Sequence, residues 1–329
     1  MRETYDVVVV GGGAAGLSGA LALTRARRSV LVVDAGEPRN APAGHVHNYL
    51  AREGTPPGEL LAAGRAEVAG YGGEFVHGAV RSAAPRDGGG FRVALADGRT
   101  VDARRLLVTA GLVDELPDVP GLAERWGRDV LHCPYCHGWE ARDEPLVVLA
   151  TGPLAAHQAL LWRHWSADVT VVRHGGCAFT AEEDEQLAAR GVRMVDGPVA
   201  ALEVAGDALT GVRLAGGEVL PCGAVVVAPR FHARADVLTS LGLAAVEQEM
   251  GGQVIGSVVP SDPTGATAVP GVWVAGNVTD PRAQVVTSVS AGSAAGAAIN
   301  ADLVAEETRA AVAARRATDA GRRPADVRA

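Results

Sequence analysis

The chain has 329 residues, of which 48% are hydrophobic and only 4% aromatic, and its formal net charge is −8. This length predicts two domains, and the small apolar residues suit an α/β protein with close helix–sheet contacts. The acidic balance excludes a basic footprint for nucleic acid or an anionic membrane. Since no signal-peptide pattern and no long charge-free apolar run is found, we expect a cytoplasmic protein with no membrane segment.

The N-terminal segment predicts one βαβ unit. Tyr5–Val10 is an apolar, β-branched run typical of a buried parallel strand, Leu17–Arg27 predicts a helix, and Val30–Val33 predicts a second strand that ends at Asp34. The glycine-rich run 11–16 connects the first strand to the helix. This context makes a dinucleotide-binding turn the favoured interpretation over an ordinary tight turn.

Three glycines of that run fit the pattern G-x-G-x-x-G. Gly11 permits the tight turn, Gly13 lets a pyrophosphate approach the backbone, and Gly16 lets the helix pack closely on the sheet. The pyrophosphate would lie at the helix N-terminus, where free N–H groups and the helix dipole favour an anion. Asp34 stands about twenty residues further on, where an acidic side chain accepts a hydrogen bond from a ribose hydroxyl.

The rest of the chain predicts further β-structure and a second βαβ unit after a proline-rich crossing. Strands at 92–95 and 101–108, with Asp97-Gly98 between them, are expected to form an antiparallel pair. The other predicted elements are strands at 146–150, 169–172 and 271–276, a helix from about 154 to 165, alternating strands and turns over 196–227, and a helix over 288–304. Residues 305–329 are rich in alanine and arginine, and predict a frayed helix or tail.

The segment Cys133-Pro134-Tyr135-Cys136 is the strongest chemical signal, and His132 and His137 flank it. Two thiols at this spacing can close and reopen a disulfide, and a neighbouring imidazole can hold the proton involved. Attachment of c-type haem, a zinc site and a pair of structural cysteines are weaker alternatives, because no exported haem fold and no second cysteine pair is found. Cys177 and Cys222 are expected to be small buried hydrophobic residues.

The second βαβ unit lacks an intact nucleotide fingerprint. Ala150 stands where the first glycine is expected, and Pro153 removes a backbone N–H donor from the phosphate-binding turn. After the next strand, Arg173 alone replaces the arginine cluster that would hold a 2′-phosphate. We therefore expect NAD(P)H binding to be lost.

Together, these motifs give a resemblance to low-molecular-weight thioredoxin reductases over nearly the whole chain. Within that group the chain looks most like the FAD-dependent dithiol oxidases of dithiolopyrrolone, gliotoxin-like and depsipeptide natural products. The resemblance is carried by residues 11–16, 133–138, Gly276-Asn277 and Gln284-Val285. The chain differs from the group in having Asn277 in place of an aspartate, and His137 where thioredoxin reductases have a catalytic aspartate.

The resemblance implies a homodimer with bound FAD, in an α/β fold of two Rossmann-like dinucleotide-binding domains, the second inserted into the first. Residues 1–117 and 247–329 would form the FAD-binding domain, and 118–246 an NAD(P)-binding-like domain with the redox pair. The implied FAD-binding residues are Gly11, Gly13, Ala14, Ala15, Gly16, Asp34, Ala35, Arg39, Asn40, His47, Ala110, Gly111, Gly276, Asn277, Gln284 and Val285. His45 and His47 could also be merely an exposed loop pair.

By analogy, Cys133 is the exchange cysteine, Cys136 passes electrons to the flavin, His137 is the base and His132 supports it, although either histidine could simply orient the loop. The expected activity is oxidation of a small-molecule dithiol to its disulfide, with O2 as the final acceptor and H2O2 as the product. The alternatives are an NADPH- or ferredoxin-dependent disulfide reductase with a thioredoxin-like partner, and a non-catalytic flavin-bound redox sensor.

Overall fold

The computed structural model describes residues 2–152, 154–250 and 252–321. The helices are α1 Ala14–Arg25, α2 Pro57–Gly70, α3 Pro134–His137, α4 Leu154–Trp162, α5 Ala181–Ala189, α6 Asp236–Thr239 and α7 Val285–Gly321. The strands are β1 Thr4–Val10, β2 Val30–Asp34, β3 Glu74–His77, β4 Val80–Pro85, β5 Phe91–Leu95, β6 Thr100–Val108, β7 Leu112–Glu115, β8 Val130–Leu131, β9 Leu146–Ala150, β10 Val169–Arg173, β11 Arg193–Asp196, β12 Val199–Ala205, β13 Ala208–Leu214, β14 Val219–Pro221, β15 Ala224–Val226, β16 Arg230–Ala233, β17 Val246–Met250, β18 Gln253–Val258 and β19 Val272–Val274.

The first sheet has the order β3-β2-β1-β6-β5-β4, and β19 also pairs with β6. Strands β3, β2, β1, β6 and β19 are parallel, whereas β4, β5 and β6 form an antiparallel meander. The central strands are buried on both faces, which explains their unbroken valine and leucine runs. The predicted βαβ unit and the pairing around Asp97-Gly98 are thus confirmed, and α1 begins at Ala14 rather than Leu17.

A second parallel sheet, β11-β10-β9-β15-β8, lies between β6 and β19 in the chain, so one α/β unit interrupts the other as predicted. A small antiparallel sheet, β12-β13-β14, packs beside it, and β17-β18-β16-β7 forms a further sheet. The domain boundaries at 117/118 and 246/247 stay a prediction. No helix in the described ranges has the length and apolar character needed to cross a bilayer.

Three further predicted bounds were wrong. Helix α4 ends at Trp162, not near Trp165, because the N–H groups of His164 and Trp165 turn to carbonyls three residues back. The strand at 271–276 is limited to Val272–Val274, and Gly276 begins a 3₁₀ turn. Helix α7 runs far beyond Val304, to Gly321.

Ion pairs hold the part of α7 just beyond Val304 against the first sheet. Arg105 binds Asp302 and Glu306, and Arg104 binds Glu306 and Glu307, so strand β6 holds the helix beyond Val304. The segment from residue 305, predicted as a frayed helix or tail, is helical to Gly321, and residues 322–329 lie outside the described part of the chain.

Helices α1 and α7 pack through glycines, which brings both helix N-termini to one cavity. A Cβ added at Gly292 would overlap the carbonyl of Ala15, and one added at Gly19 would meet Leu107 and the Gly292 carbonyl. Only glycine permits this close approach of two helix backbones. The N-termini of α1 and α7 therefore face the same space, which is also lined by the redox segment, residues 133–136, at the start of α3.

Candidate active site

A cavity of about 1220 Å³ is bounded by both α/β units. It is lined by Cys133, Cys136, His132 and His137 together with the predicted FAD-binding residues Gly11, Gly13, Ala14, Ala15, Asp34, Ala35, Arg39, Asn40, His47, Ala110, Gly111, Gly276, Asn277, Gln284 and Val285. Gly16 is the exception and lies beneath the cavity wall. A Cβ at this position would overlap the carbonyl oxygen of Gly11, in keeping with the packing role predicted for Gly16.

The glycine-rich turn fits the pyrophosphate of FAD. Gly11 has a φ of +100°, which favours glycine, and a Cβ placed on Gly13 would project into open space. Helix α1 has no side-chain cap and no acidic residue in its first turn, so its first N–H groups are free to bind an anion. The space and the donors at this turn therefore match a bound phosphate group.

Asp34 stabilises the glycine-rich turn through its carboxylate. Its carboxylate accepts a hydrogen bond from the backbone N–H of Gly12 at 3.0 Å and pairs with Arg65 at 2.8 Å. A ribose hydroxyl would add a further donor to the same carboxylate. Neither Arg65 nor its helix α2 was predicted, because that helix has little amphipathic pattern to reveal it.

Arg39 and Asn277 belong to one hydrogen-bonded network. Arg39 makes a two-pronged ion pair with Asp114 at 2.6 and 2.7 Å, and donates to Oδ1 of Asn277 at 3.3 Å. The Asn277 amide donates to the carbonyls of Asp280 and Ala283, each at 3.0 Å. An asparagine at 277 thus supports the loop that leads to Gln284. Asp114 was missed, since nothing in its local sequence marks it as a partner of Arg39.

The redox segment is shaped by Pro134, which begins the short helix α3 and leaves Cys133 as its N-cap. All four cysteines are free thiols, and Cys222 is buried while Cys177 is only half-buried. The pKa of Cys133 is lowered to about 6, chiefly by a hydrogen bond from the Cys136 thiol and then by the N–H groups of Cys136 and Tyr135, against the opposing effect of burial. The same contact and burial raise the pKa of Cys136. Cys133 is therefore the thiolate of the pair.

The amide of Gln284, in the loop before α7, contacts the redox cysteines. Its Nε2 lies 3.9 Å from Sγ of Cys133, although 151 positions separate the two residues in the chain. This contact also favours the Cys133 thiolate. The structure therefore assembles the predicted cofactor and redox residues at one place.

Both flanking histidines suit proton acceptance. Burial lowers the pKa of His132 and of His137, so their neutral forms are favoured at neutral pH. Both ring nitrogens of His137 are buried without a hydrogen-bond partner among the described residues. Glu140 raises the pKa of His137 and His47 lowers it, but both effects are smaller than that of burial.

His47 connects the loop after β2 to the redox segment. Its Nδ1 lies 2.5 Å from Glu53 and its Nε2 lies 3.4 Å from Glu140, while the neighbouring Asn48 amide donates to the carbonyl of Tyr135 at 2.5 Å. His47 is thus more than part of an exposed loop pair. No motif or spacing in the sequence indicates Glu53 or Glu140 as a partner of this loop.

Arg173, the cation predicted at the 2′-phosphate position of the second fingerprint, is already paired. The guanidinium of Arg173 pairs with Asp184 at 2.6 Å and with Asp196 at 3.3 Å, and it also lies over the ring of Phe179. Ala150 is the last residue of β9, as predicted, and Pro153 lies outside the described residues. Two carboxylates therefore surround the arginine on which NADPH binding would depend.

Comparison with known proteins identifies the family. Residues 5–296 match the pyridine nucleotide-disulphide oxidoreductase family. The chain belongs to this family. It is 31% identical to thioredoxin reductase sirT of Leptosphaeria maculans, over 90% of this chain and 93% of that protein, and 31% identical to thioredoxin reductase tcpT of Claviceps purpurea, over 92% and 95%.

Among solved structures, that of HlmI is 46% identical, with a TM-score of 0.89, and covers 97% of this chain and 98% of its own. The structure of an oxidoreductase from Agrobacterium tumefaciens is 37% identical, with a TM-score of 0.84, over 92% and 99%. The predicted resemblance and the two-unit dinucleotide-binding fold are confirmed. The protein is an FAD-dependent thiol/disulfide oxidoreductase.

Proposed function

We propose that the protein oxidises a small-molecule dithiol to its intramolecular disulfide, with O2 as the terminal acceptor. The overall reaction is R(SH)2 + O2 → R(S–S) + H2O2. The ion pairing of Arg173 carries this proposal, because a 2′-phosphate would have to displace Asp184 and Asp196 from the guanidinium before it could bind there. With a poor nucleotide site and an assembled dithiol site, reducing equivalents enter from the dithiol.

The redox cysteines would exchange disulfides with the substrate. A substrate thiolate attacks Cys133 in the enzyme disulfide and releases the Cys136 thiolate; the second substrate thiolate then attacks the mixed disulfide and releases Cys133. The low pKa of Cys133 makes it a good leaving group for this second step. Cys136 holds the electron pair that must leave the dithiol.

The cofactor would be held by the glycine-rich turn at Gly11–Gly13 and by the loop that ends at Gln284. When bound there, FAD would supply the two-electron acceptor for the dithiol and the group that reduces O2. Neutral His137 accepts a thiol proton and then releases it readily, because burial without a hydrogen-bond partner among the described residues disfavours the imidazolium. His132 supports the same transfer. Homodimer formation and a cytoplasmic location stay predictions.

Anaerobic stopped-flow measurement of the flavin absorbance tests this proposal. Dithiothreitol is expected to reduce the flavin of the purified protein, and NADPH is not; admission of air should then yield one H2O2 per dithiol oxidised. Cys133→Ser and Cys136→Ser should each abolish reduction while the protein stays yellow. Rapid reduction by NADPH, together with no reduction by dithiols, would exclude the proposal.

A second candidate is an NAD(P)H-dependent reductase of a thioredoxin-like protein, since sirT and tcpT bear the name thioredoxin reductase. The exposed rings of Tyr135 and Trp139 beside the redox cysteines offer a surface to such a protein. NADPH-dependent reduction of insulin through added thioredoxin would favour this candidate over the dithiol oxidase.

A further inference from the structure

The turn before α7 is held together by the side-chain amide of Asn277. Its Nδ2 donates to the carbonyl oxygens of Asp280 and Ala283, each at 3.0 Å, and its Oδ1 accepts a hydrogen bond from Arg39 at 3.3 Å. The backbone N–H of Ala283 also donates to the Asp280 carbonyl, at 3.2 Å. This turn therefore follows the position at which the chain has an asparagine instead of the aspartate of the group that it resembles.

An aspartate at 277 could not hold the turn in the same way. The carbonyls of Asp280 and Ala283 can only accept hydrogen bonds, and a carboxylate has no hydrogen to donate to them. The same surroundings determine the orientation of the amide, because a flipped amide would place its oxygen against two carbonyls and its nitrogen against the Arg39 guanidinium. Asn277 thus supplies two donors that this turn uses.

Gln284 directly follows this turn and contacts the redox pair. Its carbonyl accepts a hydrogen bond from the backbone N–H of Ser288 at 2.9 Å, in the first turn of α7, so backbone contacts hold it from both sides. Its Nε2 lies 3.9 Å from Sγ of Cys133, a donor–acceptor distance that a hydrogen bond to sulfur allows. Gln284 belongs to the first α/β unit and Cys133 to the unit that interrupts it, so this contact links the two units.

The groups near the redox pair are mostly neutral. They are the Cys136 thiol, the backbone N–H groups of Cys136 and Tyr135, the Gln284 amide, and the rings of His132 and His137, whose neutral forms are favoured by burial. Arg39 acts on Cys136, but its guanidinium is paired with Asp114 at 2.6 Å. Neutral hydrogen-bond donors are therefore the main stabilisers of a thiolate at Cys133.

We propose that Asn277 is a positioning residue, which shapes the turn before α7 so that Gln284 donates a hydrogen bond to the sulfur of Cys133 and stabilises its thiolate. In the disulfide this sulfur carries no charge, so the hydrogen bond favours the reduced pair and makes the disulfide a stronger oxidant. The exchange is E(S–S) + R(SH)2 → E(S⁻)(SH) + R(S–S) + H⁺, and the proton is released to water. Only the kinetic consequence rests on the proposed dithiol oxidation, because the acidity of Cys133 is a property of the reduced protein.

The pH midpoint of Cys133 alkylation provides the first test. Reduced, anaerobic protein with its flavin is treated briefly with iodoacetamide over a pH series, and the Cys133 peptide is quantified by mass spectrometry. Gln284→Leu should raise the midpoint by about half a pH unit, since Gln284 is one of several donors. Gln284→Glu should raise it by more than about one unit, because a carboxylate opposes the thiolate. Gln186→Leu, which removes an exposed amide bonded to Glu182 on α5, is the matched control and should leave the midpoint unchanged.

The same midpoint tests Asn277. Asn277→Asp should raise it in the same direction as Gln284→Leu, and the double variant should match Gln284→Leu within about 0.3 unit, because Asn277 acts only through Gln284. Additive shifts in the double variant would overturn the proposal, as would an unchanged midpoint in either single variant. Gln284→Met and Asn277→Ala replace any of these variants that does not fold.

Equilibration with mixtures of reduced and oxidised dithiothreitol gives a second readout. At about pH 7.5 without oxygen, the equilibrium constant for reduction of the cysteine pair, measured by trapping the thiols, should be about threefold lower in Gln284→Leu than in the wild type. Equal constants would contradict the inference. If dithiols fail to reduce the wild-type flavin, the proposed function fails, and the alkylation midpoints still decide this inference.

Discussion

The acidity of Cys133 gives the most direct quantitative prediction. Its pKa is lowered from 9.0 to about 6, chiefly by the hydrogen bond from the Cys136 thiol. Three pKa units correspond to about 4 kcal/mol in favour of the thiolate, at about 1.4 kcal/mol per unit. Because a thiol is an acid, the reactive thiolate forms as the pH rises through about 6 and predominates at neutral pH.

The absolute rate of alkylation would reveal less than its pH midpoint. At pH 7 the thiolate fraction is about 90%, against about 1% for an ordinary thiol, a gain of about 90-fold. The intrinsic nucleophilicity of a thiolate falls as its pKa falls, and three units cost about 20-fold. The net gain in alkylation rate is only about fourfold, so the assay should measure the pH midpoint of alkylation rather than its absolute rate.

The assay uses fully reduced, anaerobic protein treated briefly with iodoacetamide at a series of pH values, with mass spectrometry of the Cys133 peptide. The wild-type midpoint should lie near pH 6. Cys136→Ala removes the donor and should raise the midpoint, whereas Cys136→Ser keeps a hydroxyl donor and should preserve it. A wild-type midpoint near that of an ordinary thiol would refute the reasoning, as would equal midpoints in the two variants.

Three further predictions concern the cofactor cradle, the long helix and the remaining thiols. Gly13→Ala should lower the affinity for FAD at least about tenfold, with little change in the free energy of unfolding. Gly16→Ala should instead lower the free energy of unfolding by about 3 kcal/mol or more. Flavin titration measures the first effect, and thermal unfolding measures the second. Hydrogen bonds from Arg104 and Arg105 lower the pKa of Glu306, so this stabilisation is present above the ordinary glutamate pKa of 4.5 and is lost as the pH falls below it. In Arg104→Met, the unfolding temperature should decrease less steeply with falling pH than in the wild type. An equally steep decrease in both proteins would contradict this. Burial raises the pKa of Cys222 to about 12, so iodoacetamide at neutral pH should label it only after unfolding.

Local sequence determined the elements that carry the chemistry. The valine-rich run before Gly11 has only one stable environment, a strand buried on both faces, and the glycines after it permit a turn that other residues would obstruct. Pro134 between two cysteines begins a helical turn with Cys133 as its N-cap. These features depend on neighbours in the chain, and so they could be predicted from it.

The tertiary structure alone decided which side chains act together. The Cys133–Gln284 contact joins residues 151 positions apart, Arg173 finds its carboxylates on a later helix and strand, and Gln158 reaches the peptide of His132 across two elements. The direction of each side chain follows from the packing of one α/β unit against another. No periodicity in the sequence encodes that packing, since many distant residues determine it together.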